Sequence, residues 1–157
     1  MPDRLIAAVL ALVVSGVALA ARADSPLFVG KWHWNAKEST TAPGEPLPRD
    51  VLLTITRADK AQVQWSLTTI DNKGTQTVKT FVGTGDGKPT PVTGDPGTTG
   101  AFTLAGTTME SVYASADGGT DSSTCSVSSD RKKMTCHGSE SDGKGHANNY
   151  TDVYDRQ

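Results

Sequence analysis

Short β-prone segments separated by turn-forming residues run through this chain from about residue 28 to its end. The segments alternate apolar and polar side chains, as strands with one buried face do, and none sustains the 3.6-residue repeat of an amphipathic helix. Turns rich in Gly, Asn and Asp, such as 71–74 and 116–119, separate them. The pattern predicts an all-β fold with nine candidate strands, at 28–35, 51–57, 62–70, 75–83, 98–104, 109–114, 123–128, 133–138 and 148–154.

Strands joined mainly by hairpins favour one sheet that closes on itself, because closure removes unpaired sheet edges. We therefore predict a single antiparallel up-and-down β-barrel of eight to nine strands, with a two-sheet β-sandwich as the alternative. Alternation directs Val51, Leu53 and Ile55 of one strand toward the interior, and Trp65 and Leu67 of the next.

The chain has two cysteines, Cys125 and Cys136, which fall on the apolar face of a predicted hairpin that turns at 129–132. They lie opposite each other in that hairpin, and we predict a disulfide between them. A redox-active pair is the alternative, but such pairs are usually separated by two residues and lie beside a helix. A structural disulfide is therefore favoured.

Residues 1–23 have the features of an export signal. Arg4 precedes an apolar run at 5–20, and small residues follow it. Cleavage after Ala20 or after Ala23 fits the pattern, and we choose Ala23. An uncleaved anchor is the alternative, but sixteen apolar residues are short for a membrane helix, which needs about twenty. We expect a signal peptide at 1–23, one domain at 24–157 without a membrane span, and a periplasmic or secreted location.

Composition limits both the core and the partners of this domain. Leu, Ile, Val and Phe occupy only 20 positions after residue 23, so a compact state depends on sheet closure and the disulfide more than on a large core. The net charge of the full chain is −2, without long runs of one sign. Nucleic-acid binding needs a basic patch, so the charge argues against a nucleic-acid partner.

Gly30, Lys31 and Trp32, in the first predicted strand, resemble the Gly-x-Trp signature of lipocalins and other calycins. The resemblance implies that a basic residue on or just past the last strand lies across this tryptophan, and Arg156 has that position.

A wider resemblance covers nearly all of 24–157. Several separated segments are similar in order and spacing to a group of small exported bacterial lipocalin-like (calycin-type) β-barrel proteins, largely uncharacterised. They lie at 30–35 with Ser39, 43–46, 86–88, 91–96, 127–135, 148–149 and 153–157. The group implies a lipocalin-like fold and export, and no reaction. Arg131 stands where its turn usually has Gly, so we expect left-handed strain there. The disulfide pair is also not a feature of most members.

The sequence contains no convincing catalytic or metal-binding set. Alternation places His33 and His137 on outward faces and His146 in a loop, so no convergent metal ligands are expected. The Gly-x-Ser-x-Gly nucleophile elbow is absent from the sequence. We predict no catalytic residues, no metal and no cofactor, and an enzyme is the less favoured interpretation.

Three tryptophans are the candidate ligand-binding residues: Trp32, Trp34 and Trp65. Large aromatic side chains commonly pack small cores, and that interpretation remains open beside a role in lining a pocket. The irregular segments 36–50 and 83–97 are candidate loops over the barrel ends, where ligand contacts would concentrate.

These observations favour non-enzymatic binding of a small apolar or amphipathic molecule in the barrel. The first alternative is an envelope protein-interaction or stress-related module without a ligand, whose protein partner is unknown. The second is an enzyme of unknown reaction.

Overall fold

The computed structural model describes residues 27–41 and 46–157, so the predicted signal peptide lies outside the described residues. The described part is all-β, and no helix in it is long and apolar enough to cross a membrane. Its ten strands are β1 (Gly30–Trp34), β2 (Asp50–Ala58), β3 (Val63–Ile70), β4 (Gln76–Gly83), β5 (Thr90–Pro91), β6 (Thr98–Ala105), β7 (Thr108–Ser115), β8 (Thr120–Val127), β9 (Lys133–Ser141) and β10 (Ala147–Arg156).

All nine predicted strands are present, and β5 is an addition. Two residues are too few to show a period-two pattern, which is why the sequence did not indicate this strand. The largest differences at a boundary are of three residues: β8 begins at Thr120 rather than at residue 123, and β9 ends at Ser141 rather than at residue 138. The added residues are polar on both faces, so apolar alternation does not mark them.

The strands form one antiparallel sheet in the order β4-β3-β2-β1-β10-β9-β8-β7-β6-β5. Each strand pairs with its sequence neighbour, except that β1 pairs with β10 and β4 is not in a ladder with β5. The β1–β10 pairing places Trp32 opposite Arg156 and brings the two ends of the domain together. The sheet curls into a nearly closed barrel, which confirms the lipocalin-like fold over the sandwich.

The remaining gap in the wall, between β4 and β6, is filled by the segment that follows β4. β5 pairs with β6, and Thr80 and Thr93 exchange two backbone hydrogen bonds of 2.9 Å each. The Lys79 ammonium lies 2.6 Å from the Asp95 carboxylate beside them. We call the Thr80–Thr93 bridge and this ion pair the seam. The segment 83–97, expected to lie over an end of the barrel, thus contributes to its wall.

One end of the barrel is closed around Trp32, which is fully buried with Phe28 and Met134. The Arg156 guanidinium lies 4.0 Å from the centre of the Trp32 ring, as predicted. It donates hydrogen bonds to the carbonyls of Leu27, Val29 and Arg131, at 2.6, 2.7 and 2.6 Å. A Cβ atom at Gly30 would lie 2.6 Å from this guanidinium, so the Gly-x-Trp signature needs its glycine. We call this the closed end.

The predicted hairpin is formed by β8 and β9. Cys125 lies opposite Cys136 in the ladder and the two are joined by a disulfide, which confirms that prediction. In the turn between the strands, Arg131 has φ of 61°, and it is the one non-glycine residue in the described ranges with positive φ. The expected left-handed conformation of Arg131 is therefore confirmed.

Candidate functional site

The barrel encloses a cavity of about 390 Å³. Side chains from eight strands converge on it, because alternate residues of each strand point inward. The inner positions predicted for Leu53, Ile55, Trp65 and Leu67 are confirmed, since all four line the cavity. The apolar part of its lining consists of Leu53, Ile55, Trp65, Leu67, Val92, Phe102, Met109, Met134 and the disulfide.

Aromatic rings stiffen one wall. The ring of Trp65 stacks nearly parallel on Phe81 at 5.8 Å between centroids, and Phe81 lies 4.7 Å from Phe102. Phe102 in turn meets Tyr113 edge to face at 5.8 Å. Contacts of this kind hold each ring in one orientation, so the wall offers a fixed apolar surface.

The three candidate tryptophans have different positions. Trp65 lines the cavity, whereas Trp32 and Trp34 do not. The indole N–H of Trp32 donates to the Phe28 carbonyl at 2.8 Å, and that of Trp34 donates to the Asp152 carboxylate at 2.8 Å. The indole N–H of Trp65 is buried without a hydrogen-bond partner in the described structure. The indole N–H groups of Trp32 and Trp34 thus form hydrogen bonds within the fold, whereas that of Trp65 does not.

The opposite wall of the cavity is polar. Tyr150 donates a hydrogen bond of 2.6 Å from its hydroxyl to Asp121, and the hydroxyls of Ser111 and Ser123 lie 2.9 Å apart. The Tyr150 ring lies flat against Gly138, where a Cβ atom would come within 2.1 Å of it. The polar residues that line the cavity are Lys79, Asp95, Thr98, Ser111, Tyr113, Asp121, Ser123, Tyr150, Asp152 and Tyr154.

Two of these residues, Asp121 and Asp152, are half-buried carboxyl groups. Burial is the main cause that raises the pKa of each, and the nearby charge of Glu140 raises that of Asp121 further. Neither has a Lys, Arg or His partner at ion-pair distance within 27–41 and 46–157. Each carboxyl group already accepts one hydrogen bond, Asp121 from Tyr150 and Asp152 from Trp34. A cation that approached either group would further stabilise its ionised form.

The tyrosines share this environment. Burial raises the pKa of Tyr113, Tyr150 and Tyr154, and the charges of Asp121 and Asp152 raise that of Tyr154 further. The hydroxyls of Tyr113 and Tyr154 have no hydrogen-bond partner among the residues that the structure describes. Lys79 is the one cationic side chain in the described cavity lining, and Asp95 neutralises it. The cavity is therefore acidic.

This polar wall was not among the predicted site residues. The available signal was alternation: counting back from Cys125 by twos reaches Ser123 and Asp121, and counting back from Tyr154 reaches Asp152 and Tyr150. These residues were not proposed because inward positions were assigned to apolar side chains. An inward-facing carboxyl group breaks that assumption, and such breaks are frequent at functional sites.

The histidines lie away from the cavity lining. His33 is 2.5 Å from Asp50, His137 is 3.0 Å from the Thr151 hydroxyl, and His146 is 2.7 Å from Asp142. No group of three or more metal-ligating side chains occurs in the parts of the chain described.

The first part of the candidate loop at 36–50 is hydrogen-bonded to β10. Thr40 exchanges backbone hydrogen bonds of 2.8 and 2.9 Å with Thr151. Its centre, 42–45, lies outside the described residues.

Comparison with known proteins supports the fold. No family model and no curated protein matches the chain. Among solved structures, the fluorescent protein UnaG is similar at a TM-score of 0.54, with 16% identity over 83% of this chain and 97% of UnaG. A variant of UnaG is similar at a TM-score of 0.57 with 16% identity, over 83% of this chain and 96% of the variant. In its fold, this chain is a lipocalin-like antiparallel β-barrel.

Proposed function

We propose that this protein binds a small molecule in its barrel and catalyses no reaction on it. The cavity of about 390 Å³ carries the proposal. Its size falls in the range of ligand sites, which are usually about 300–1,000 Å³ and combine an apolar lining with a few polar groups. This lining has that composition, with a rigid aromatic wall facing hydroxyl and carboxyl groups.

A purely structural interior would be filled instead. Protein cores pack as densely as organic crystals, and buried polar groups in them find hydrogen-bond partners. Here the interior keeps a cavity large enough for an organic molecule and leaves the Trp65 N–H unpaired. An unpaired buried donor costs about 1–3 kcal/mol, and such a cost is expected where a site serves binding rather than stability.

The tryptophans then divide by role. We propose that Trp65 contacts the ligand with its ring, since it lines the cavity beside Phe102. Trp34 acts through Asp152, which it orients by a hydrogen bond. Trp32 seals the closed end under Arg156.

A neutral solvatochromic dye tests the proposal. We expect Nile red to bind the purified domain saturably, with blue-shifted emission and loss of Trp65 fluorescence. Ser111→Leu fills the cavity from β7 and should weaken dye binding. Ser126→Leu is the matched control, because Ser126 is exposed on the outer face of β8. Absence of saturable binding, or equal binding by both variants, would contradict a ligand site inside the barrel.

We also propose that residues 1–23 are removed on export to the periplasm or the medium, and that the protein is a small exported bacterial lipocalin-like protein. The export pattern of the leader supports this, and so does the disulfide, because disulfides persist in oxidising compartments. Intact-mass measurement on fractions of the producing cell tests it. A disulfide-bonded chain that begins at Asp24 supports the proposal, a start at Ala21 moves the cleavage site, and a full-length chain in the cytoplasm contradicts export.

A further inference from the structure

We infer that the cavity selects an amphipathic organic cation, a molecule with an apolar body and a protonated amine. This inference rests on the proposed function and names the chemical class of its ligand. The aromatic and aliphatic wall around Trp65 would receive the apolar body, and the polar wall around Asp121 and Asp152 would receive the ammonium group.

The charges of the cavity favour a cation. Asp121 and Asp152 have no cationic partner within the described ranges, and Glu140 stands opposite Asp121 in the ladder. A second recess shares Asp121 with the cavity and is also lined by Glu140. Lys79 does not offset these groups, because Asp95 already pairs with it at 2.6 Å. An ammonium group would thus meet uncompensated negative charge in a site of low dielectric, where attraction is strong.

The hydrogen-bonding capacity of the wall points the same way. An ammonium group has three donors and no acceptor, so it needs oxygen atoms around it. Asp121 and Asp152 supply carboxylate oxygens, and the hydroxyls of Tyr113 and Tyr154 have no partner of their own in the described chain. Both tyrosines line the cavity and pack, partly buried, against the core, so these hydroxyls face the interior of the barrel and not its outer surface.

The tyrosine rings add a further attraction. A cation within about 6 Å of an aromatic face is stabilised by the ring quadrupole, most strongly where water is excluded. Tyr113, Tyr150 and Tyr154 all line the cavity, and Tyr113 also contacts Phe102 of the aromatic wall. Carboxylates combined with several aromatic rings form an environment that suits an alkylammonium or arylalkylammonium ion. The same carboxylates would repel an acid of the same size.

Calorimetric titration with three probes of one chain length tests this selectivity. The probes are n-octylammonium, 1-octanol and octanoate, which differ only in the head group. At neutral pH we expect n-octylammonium to bind the disulfide-bonded domain at least about tenfold more tightly than octanoate, with octanol between them.

Isosteric variants locate the effect. Asp121→Asn and Asp152→Asn keep side-chain shape and the oxygen that accepts from Tyr150 or Trp34. Each should lower n-octylammonium affinity about tenfold and change octanol affinity by less than about twofold, because only charge is removed. Glu110→Gln is the matched control, since it removes the same charge from the outer face of β7. Two aspartate variants keep the test usable if one of them fails to fold.

The outcomes distinguish the selectivity for a cation from the more general proposal of small-molecule binding. Preference for n-octylammonium that the cavity variants lose and Glu110→Gln keeps would support the inference. Equal or tighter binding of octanol or octanoate by the unmodified protein would overturn it and leave small-molecule binding in place. Failure of all three probes together with Nile red would overturn both. A preference that survives both aspartate substitutions would overturn the assignment of the ammonium group to this wall.

Discussion

At the scale of one residue, Arg131 occupies a turn position whose backbone conformation favours glycine. Its φ of 61° lies in the left-handed region, which costs a residue with a Cβ atom about 1–2 kcal/mol. Its backbone carbonyl accepts a hydrogen bond from Arg156 at the closed end. The carbonyl is present in any residue, so the side chain is not needed for that contact.

Replacement of Arg131 by glycine should therefore stabilise the protein. We expect Arg131→Gly to raise the free energy of unfolding by about 0.5–1 kcal/mol, because relief of strain exceeds the added flexibility of the unfolded chain. Urea denaturation measures the change. Arg131→Ala removes the same charge and keeps the strain, so equal stabilisation by Ala and Gly would refute the backbone explanation.

Arg156 has the opposite character, because its side chain joins three separate parts of the closed end. A lysine keeps the charge but cannot reach the carbonyls of Leu27, Val29 and Arg131 together. Arg156→Lys should lower the free energy of unfolding by about 2–3 kcal/mol, since at least two of these carbonyls lose their donor. Arg49→Lys, at an exposed position, is the control for denaturation. Unchanged stability of Arg156→Lys would mean that charge alone closes this end.

Among the elements, the β8–β9 hairpin carries the covalent link. The disulfide joins residues separated by 11 positions, and the ladder pairs both strands along their length. The double variant Cys125→Ala/Cys136→Ala should keep its β-sheet circular dichroism and lose about 2–3 kcal/mol in denaturant, mainly because the unfolded chain regains freedom. Chemical reduction of the unmodified protein should reproduce most of this loss. If reduction leaves the midpoint unchanged, the disulfide does not contribute to stability.

The elements also show what could be predicted from the sequence and what could not. Strands such as β2 and β3 were predictable because Val51, Leu53, Ile55 and Trp65 alternate cleanly with polar residues. The seam was not, because β5 is two residues long and the Thr80–Thr93 bridge joins segments with no apolar pattern.

The cavity was harder to predict than the strands. Asp121 and Asp152 line the same cavity only because β8, β9 and β10 lie side by side, and that register follows from the whole sheet. Trp32 was a candidate for the site because it shares an inner face with the lining. Where along the barrel axis its side chain lies depends on the β1–β10 pairing, which one sequence does not reveal.

Across the whole molecule, the carboxyl groups on the outer surface and those inside the barrel have pKa values shifted in opposite directions. On the outer surface, hydrogen bonds hold carboxyl pKa values down: Arg57 and neighbouring backbone amides lower that of Asp59 to about 2, and Lys133 and Asn35 lower that of Asp155. Inside, burial raises those of Asp121 and Asp152. The outer groups stabilise the fold above the unfolded pKa of about 4, and this contribution is lost as pH falls.

For Asp121 and Asp152, the dependence of stability on pH has the opposite sign. Because their folded pKa is raised, their contribution is complete below about pH 4 and is lost as pH rises through that raised value. Asp152→Asn should thus gain stability relative to the unmodified protein between about pH 4 and about pH 7. For Asp155→Asn, we expect a loss of stability relative to the unmodified protein that is nearly complete above about pH 5 and shrinks as pH falls below about 4, because the favourable contribution of Asp155 is lost there. Denaturant midpoints of the three proteins at about pH 3, 4 and 7 measure both effects, and parallel curves for the two variants would contradict the opposite signs.

The seam is the weakest junction in the barrel wall, so we expect it to open before the other strand pairs separate. Every other junction is a ladder along most of a strand, whereas β4 meets the returning chain through the Thr80–Thr93 bridge and the Lys79–Asp95 pair. Local openings take the path of lowest free energy, so this line separates while the rest of the cylinder stays intact. In hydrogen exchange, the amides of Thr80 and Thr93 should lose protection before those of β9 and β10, and faster in high salt because salt screens the ion pair. We therefore expect the barrel to open laterally along the seam, for times that depend on ionic strength.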